Sequence, residues 1–168
     1  MPASVGGRLA SFLEVTSRNG EPGRVKGQGG IGTIASRLSL EGSLTPSTTF
    51  IVAGRRTYAD LLLKLSSDEE LKNSRLYFYD LNAKITQRID NKNRLFFSGY
   101  HGNDVFKNGD GQLVLGNTMA SLRWNHAFSS DLRRDLTLYY TGYSYSFGSP
   151  DDELNPFLWV SKIQDLGA

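Results

Sequence analysis

The sequence predicts an all-β chain. Its expected form is an antiparallel up-and-down meander of about 7–8 long strands, part of a transmembrane β-barrel, or an open curved sheet if that barrel is truncated. Three observations carry this. Apolar and polar residues alternate with period two over stretches of roughly 10 to 16 residues, well beyond the five or six usual in soluble strands. Short turns alternate with long polar or Gly-rich connections. The composition, with 18 Gly, 5 Pro, 8 Tyr, 9 Phe and 2 Trp in 168 residues, is that of strands joined by turns and lacks the signature of disorder.

Residues 1–23 read as an irregular segment around one short strand, Phe12 to Thr16. Asn19-Gly20-Glu21-Pro22-Gly23 closes it with strong turn chemistry. From Arg24 onward alternation dominates. Strands are expected at about 24–32, 35–44, 48–57, 75–89, 93–103, 114–128 and 132–147, with an eighth starting near Phe157. Leu38, Leu40, Gly42 and Leu44 alternate with Arg37, Ser39, Glu41 and Ser43. From Tyr77 to Ile89 the odd positions are apolar except Gln87, and the even positions are polar except Phe78. Ala120, Leu122, Trp124, His126 and Phe128 form a third apolar face. Phe50-Ile51-Val52 and Leu95-Phe96-Phe97 are apolar on both faces and leave their register open.

Short turns fall at about 44–48, 90–92 and 129–131; long connections fall at about 57–74, 103–111 and 149–155. The tight link at Gly32-Thr33 breaks this alternation. Ser67 to Leu71 is expected to form one helical turn, with Ser67 as its N-cap. Lipid offers no hydrogen bonds, so a spanning sheet must close on itself and point its side chains alternately to lipid and lumen. Tyr139, Tyr140, Tyr143, Tyr145 and Phe147, with Tyr77 and Tyr79, are expected at the membrane–water boundary as an aromatic girdle.

Composition excludes several functions. The net charge of +2 is too small and too evenly spread to argue for nucleic acid. No cysteine is present, which removes disulfides, thiolate metal sites and a cysteine nucleophile. No apolar run approaches the roughly 20 residues of a membrane-spanning helix. Met1-Pro2-Ala3 opens no signal peptide, so the chain is expected either to be cytosolic or to begin at an internal point.

Few residues suggest chemistry. Arg55-Arg56 lies where a strand enters a long loop and reads as one inward and one solvated rim charge; the alternative is a charged lining or plug contact with Asp60 or backbone carbonyls as partners. Gly6-Gly7-Arg8 reads as a backbone bend more than a phosphate nest. Asn108-Gly109-Asp110-Gly111 reads as a plain loop, since no downstream acidic ligand completes a calcium site. His101 and His126 lie on different strands, and His126 reads as an interfacial residue beside Trp124 and Phe128. Asp131 and Asp135 sit at a turn, and Asp151-Asp152-Glu153 reads as a solvated loop. No acid–base pair assembles, so no enzyme, catalytic residue, cofactor or metal site is expected, and ligand-binding residues stay unassigned.

Pro2-Ala3-Ser4-Val5-Gly6-Gly7-Arg8-Leu9-Ala10-Ser11 resembles the end of the plug domain of TonB-dependent outer-membrane receptors, and Phe12 to Arg18 with Asn19-Gly20 resembles the strand that closes it. Gly29 to Gly42 is similar to the family's first barrel hairpin. Phe50 to Asp60, Tyr77 to Lys84, and Gly116-Asn117-Thr118 with Leu122 to His126 are further matches. The resemblance implies residues 1–23 as the C-terminal end of a plug and 24–168 as the N-terminal part of an outer-membrane barrel. It implies active uptake of a nutrient such as an iron chelate, a glycan or a peptide. Its partners would be outer-membrane lipid of a Gram-negative cell, an extracellular small ligand, and the TonB energy-coupling protein acting through a segment missing here. The chain is then expected to be a fragment with unpaired sheet edges, and the first 20 or so residues to lie against its polar face. The loops at 58–74, 103–113 and 148–156 are where the resemblance points for ligand contacts. The alternatives are a soluble all-β ligand-binding module and a small outer-membrane barrel enzyme.

Overall fold

The computed structural model describes residues 16–109, 111–129 and 132–168. The plug-like segment Pro2–Ser11, Gly6-Gly7-Arg8 and most of the short strand expected at Phe12–Thr16 therefore lie outside the described residues, as do Asp110 and Asp131.

Eight strands follow in chain order: β1 Lys26–Ile31, β2 Ala35–Thr45, β3 Thr48–Thr57, β4 Arg75–Arg88, β5 Asn93–Asn108, β6 Gly111–Ala127, β7 Arg133–Ser149 and β8 Phe157–Gly167. They form one sheet in sequence order, and every neighbouring pair is antiparallel. The architecture is an all-β open meander, as the alternation predicts. β1 and β8 are its edges.

One boundary differs from the sequence reading. β5 and β6 do not end at a long loop near 103–111. They continue to a two-residue turn closed by the Asn108↔Gly111 pair. Asp104 to Lys107 pairs residue by residue with Gln112 to Leu115. Gly109, the first residue of the two-residue loop, takes φ +53°, the positive φ that such a hairpin turn requires there. The Gly-rich stretch is thus a turn inside one long hairpin, and the short–long alternation of connections fails there.

The connection between β3 and β4 holds two short helices, α1 Ala59–Leu63 and α2 Glu69–Asn73. The N-cap of α2 is Asp68 and not Ser67: its carboxylate accepts from the backbone N–H of Glu70 and Leu71. Ser74 ties this segment to the hairpin, its Oγ lying 2.9 Å from Glu70 O and 2.9 Å from Asn108 Oδ1.

Among the described residues the sheet has almost no apolar core. Val105, at 7% exposure, is the one buried hydrophobic side chain, whereas Glu41, Thr57, Ser74 and Lys84 are buried polar residues. Two sheet faces are distinguished below. The covered face carries Glu41 and Lys84 and receives residues 16–24; the bare face carries Leu38, Ile85 and Leu122.

Candidate functional site

The covered face is built by strand parity. Glu41, Ile51, Lys84, Ser98, Ser121 and Tyr139 lie opposite one another across six strands, so they share a face. Arg18 donates two parallel hydrogen bonds to the Glu41 carboxylate, each 2.9 Å, and Glu21 N–H adds a third at 3.2 Å. Lys84 Nζ donates to Ser17 O at 2.7 Å, and Thr86 Oγ1 donates to Asn19 Oδ1 at 3.4 Å. Gly23 and Ser43 exchange backbone N–H···O bonds to O and Oγ, anchoring the far end of the segment. Gly20 passes against the backbone of Phe50, where a Cβ would have no space. Residues 16–24 therefore cross the polar face of β2–β4 as a strap.

Arg55 and Arg56 separate as alternation demands. Arg55 lies on the covered face and reaches Asp80 Oδ2 with Nε at 2.8 Å and Nη2 at 2.7 Å. Its partner is Asp80, directly opposite in register, and not Asp60. Arg56 lies on the bare face over the Tyr77 ring.

Toward the short turns, the covered face becomes cationic. Arg123 stands 4.6 Å and Lys84 5.7 Å from the centroid of the same Phe96 ring. Arg88 and Arg94 are directly opposite each other. Toward the loops the same face becomes aromatic and aliphatic, with Phe78, Phe106, Leu115, Tyr145, Phe147 and Trp159; Trp159 is 68% exposed.

The bare face runs the other way. Its turn-proximal half is a continuous apolar band: Phe50, Ile85, Phe97, Leu122 and Leu138 form one cross-strand row, and Leu40, Val52, Ala83, Gly99 and Ala120 the next. Its loop-proximal half on β5–β8 carries a polar cluster, His101, Asn103, Thr118, Ser144, Lys162 and Gln164, with Val105, Val114, Leu158 and Val160 beyond it toward the rim. His101 Nδ1 lies 3.0 Å from Thr118 Oγ1, and its ring is 5.9 Å from that of Tyr79. The aromatic residues expected as one girdle are divided. Tyr140, Tyr77 and Tyr79 face the bare side at the upper limit of the band, while Tyr139, Tyr143, Tyr145 and Phe147 face the covered side, because odd and even residues of one strand cannot share a face.

At the lower limit of the band, His126 packs between Trp124 and Phe128, with centroids at 5.6 Å and 4.3 Å. Asn93 Oδ1 accepts from Trp124 Nε1 at 3.0 Å and lies 2.7 Å from His126 Nδ1. Its amide donates to Asp90 Oδ2 at 2.8 Å. That side-chain bond, helped by the Lys92 and Asn93 backbone N–H groups, holds the Asp90 carboxyl below its ordinary value. Asp152 is held low in the same way by the N–H groups of Asn155 and Leu154 in the β7–β8 loop.

Of the three segments expected to carry ligand contacts, 58–74 and the part of 148–156 after Ser149 are connections, whereas 103–113 is mostly strand. Sequence reasoning missed the cationic and aromatic halves of the covered face. Register supplies the missing signal, since it brings together residues far apart in the chain. Among the described residues no three His, Asp or Glu side chains gather as a metal site, and no helix is long and apolar enough to cross a membrane. No protein-family model, curated protein or solved structure matches the chain.

Proposed function

We propose that this chain forms part of the wall of a TonB-dependent outer-membrane receptor, taking part in active uptake of a nutrient without catalysis of its own. The bare-face band carries the reading. It presents large apolar side chains to the surroundings on at least six adjacent strands, and nothing among the described residues covers them. From Tyr79 to Ile89 the band rises through ten residue steps, which at about 3.3 Å each and a tilt near 40° gives a height of about 25 Å. That is the height of the lipid-facing belt of an outer-membrane barrel. Tyr77, Tyr79 and Tyr140 at one limit, and Trp124, His126 and Phe128 at the other, fit the two interfacial girdles. The likeness of Gly29–Gly42, Phe50–Asp60 and Tyr77–Lys84 to that family's first barrel strands adds to this. In this reading the bare face meets outer-membrane lipid of a Gram-negative cell. The covered face lines the lumen, toward an extracellular small ligand. TonB couples energy through a segment outside this chain.

The test is refolding of the purified chain in detergent micelles and in plain buffer, read by circular dichroism and size exclusion. A β-rich monodisperse species in detergent alone is expected. A β-rich monomer in buffer alone would overturn the proposal in favour of a soluble binding module.

A further inference from the structure

The turn-proximal half of the covered face holds more positive charge than its neighbours neutralise. Lys84, Arg88, Arg94, Arg123 and Arg133 all point to this face by register. Asp135 shares the face, hydrogen-bonded by Asn125, and its single negative charge leaves the cations in clear excess. None of the five cations forms an ion pair among the described residues; the four ion pairs there involve Arg18, Lys26, Arg55 and Lys72. Arg88 and Arg94 are directly opposite, a placement that costs stability when both are charged. Arg123 and Lys84 share one aromatic ring in place of an acid.

From this we infer that the strip is a docking surface for an acidic polypeptide segment in extended conformation. Three features choose this occupant. The strip continues the surface already crossed by residues 16–24, where Lys84 holds a polypeptide carbonyl, that of Ser17. The cations are also spread along the strands instead of converging on one point. Beyond the buried Lys84, Arg123 and Arg133 lie two same-face rows apart, about 13 Å along the strands, with Arg88 and Arg94 in the row between. An extended segment with carboxylates at alternate positions presents them about every 7 Å and meets each row in turn. A single small anion would meet one row. The inference stands whether or not the bare face meets lipid, because it uses only the opposite face.

The experiment takes the full chain in a non-ionic detergent. A labelled peptide of alternating Glu and Ser is titrated by fluorescence anisotropy, beside a Gln-Ser counterpart and inorganic phosphate as competitor. The Glu-Ser peptide is expected to bind at least about tenfold more tightly than the Gln-Ser peptide, and to weaken as salt rises. Joint substitution of Arg94→Gln and Arg123→Gln is expected to remove most of that difference with an unchanged circular dichroism spectrum. Arg88→Gln, at an exposed position, gives the same reading alone if the double variant does not fold, and is also expected to raise the unfolding midpoint by relieving the Arg88–Arg94 repulsion. Equal binding of the two peptides, no binding of either, or binding indifferent to these substitutions would overturn the inference. Displacement by inorganic phosphate at the peptide's own concentration would overturn it as well, making the strip a small-anion site.

Discussion

The turn-proximal and loop-proximal halves of this sheet share their strands but not their polarity. In the turn-proximal half, Ile85, Phe97, Leu122 and Leu138 stand on the bare face, and Lys84, Arg88, Arg94 and Arg123 on the covered one. In the loop-proximal half, on the central part of β5–β8, the assignment reverses. His101, Asn103, Ser144 and Lys162 are on the bare face; Phe106, Leu115, Tyr145 and Phe147 are on the covered one. The ladder between β5 and β6 runs from Asn93↔His126 to Asn108↔Gly111 without a shift of register. The inversion is therefore written in the side chains and not produced by a bulge. One continuous backbone ladder serves two surroundings, and only the phase of the alternation changes between them.

The sharpest way to break this comparison is to place the same charge in each half of the bare face. Leu122→Arg sits in the middle of the apolar band and, in a refolded lipid-embedded chain, is expected to cost about 2–4 kcal/mol. Gln164→Arg, exposed in the polar half, is expected to stay within about 0.5 kcal/mol. Urea unfolding from lipid vesicles measures both, and equal losses would erase the distinction between the halves.

A smaller effect tests the loop-proximal half alone. Gly109→Ala puts a Cβ at φ +53° in the β5–β6 turn and is expected to cost about 1 kcal/mol. Hydrogen exchange should speed up at Asp104–Lys107 and Gln112–Leu115 first and leave Leu95–Ser98 protected. Uniform acceleration would mean that the two halves open as one unit.

The smallest effect lies at the two rims. Asp90 at the turn rim and Asp152 at the loop rim both have carboxyls held below the ordinary 3.8. A depressed folded-state value means that their contribution is present above pH 3.8 and is lost as pH falls through the lower folded values. Asp90→Asn and Asp152→Asn are each expected to lower stability slightly at neutral pH, and the difference from the parent chain is expected to vanish as pH falls below the folded values. A difference that is absent at neutral pH, or that persists in acid, would break this assignment.

The alternation made the fold legible. Tyr77 to Ile89 fixes a strand and its two faces without knowledge of any neighbour, as do Arg37 to Leu44 and Ala120 to Phe128, whereas Phe50-Ile51-Val52 and Leu95-Phe96-Phe97 need their cross-strand partners to show which residues share a face. The hairpin extension through Asn108-Gly109 was hidden because glycine and asparagine serve loops and tight turns alike. Pairing with Gln112–Leu115 decides between them. The site was less legible. Arg55 meets Asp80 across 25 positions because the β3–β4 register aligns them, and the helical connection between leaves that register open in sequence. Periodicity also divides residues between two faces without saying which one a strap covers, so the cationic strip needed both Ser17 and the cross-strand rows.

The order of the strands has a kinetic consequence. Each strand pairs only with its neighbours in the chain, so pairing within these eight strands waits on no distant partner. Formation can start at any hairpin and spread outward strand by strand. The two-residue turn at Gly109 makes β5–β6 the cheapest place to begin, whereas joining β3 to β4 must first close the connection that contains α1 and α2. The chain is thus wired to assemble as a zipper with one slow tooth, located between Thr57 and Arg75.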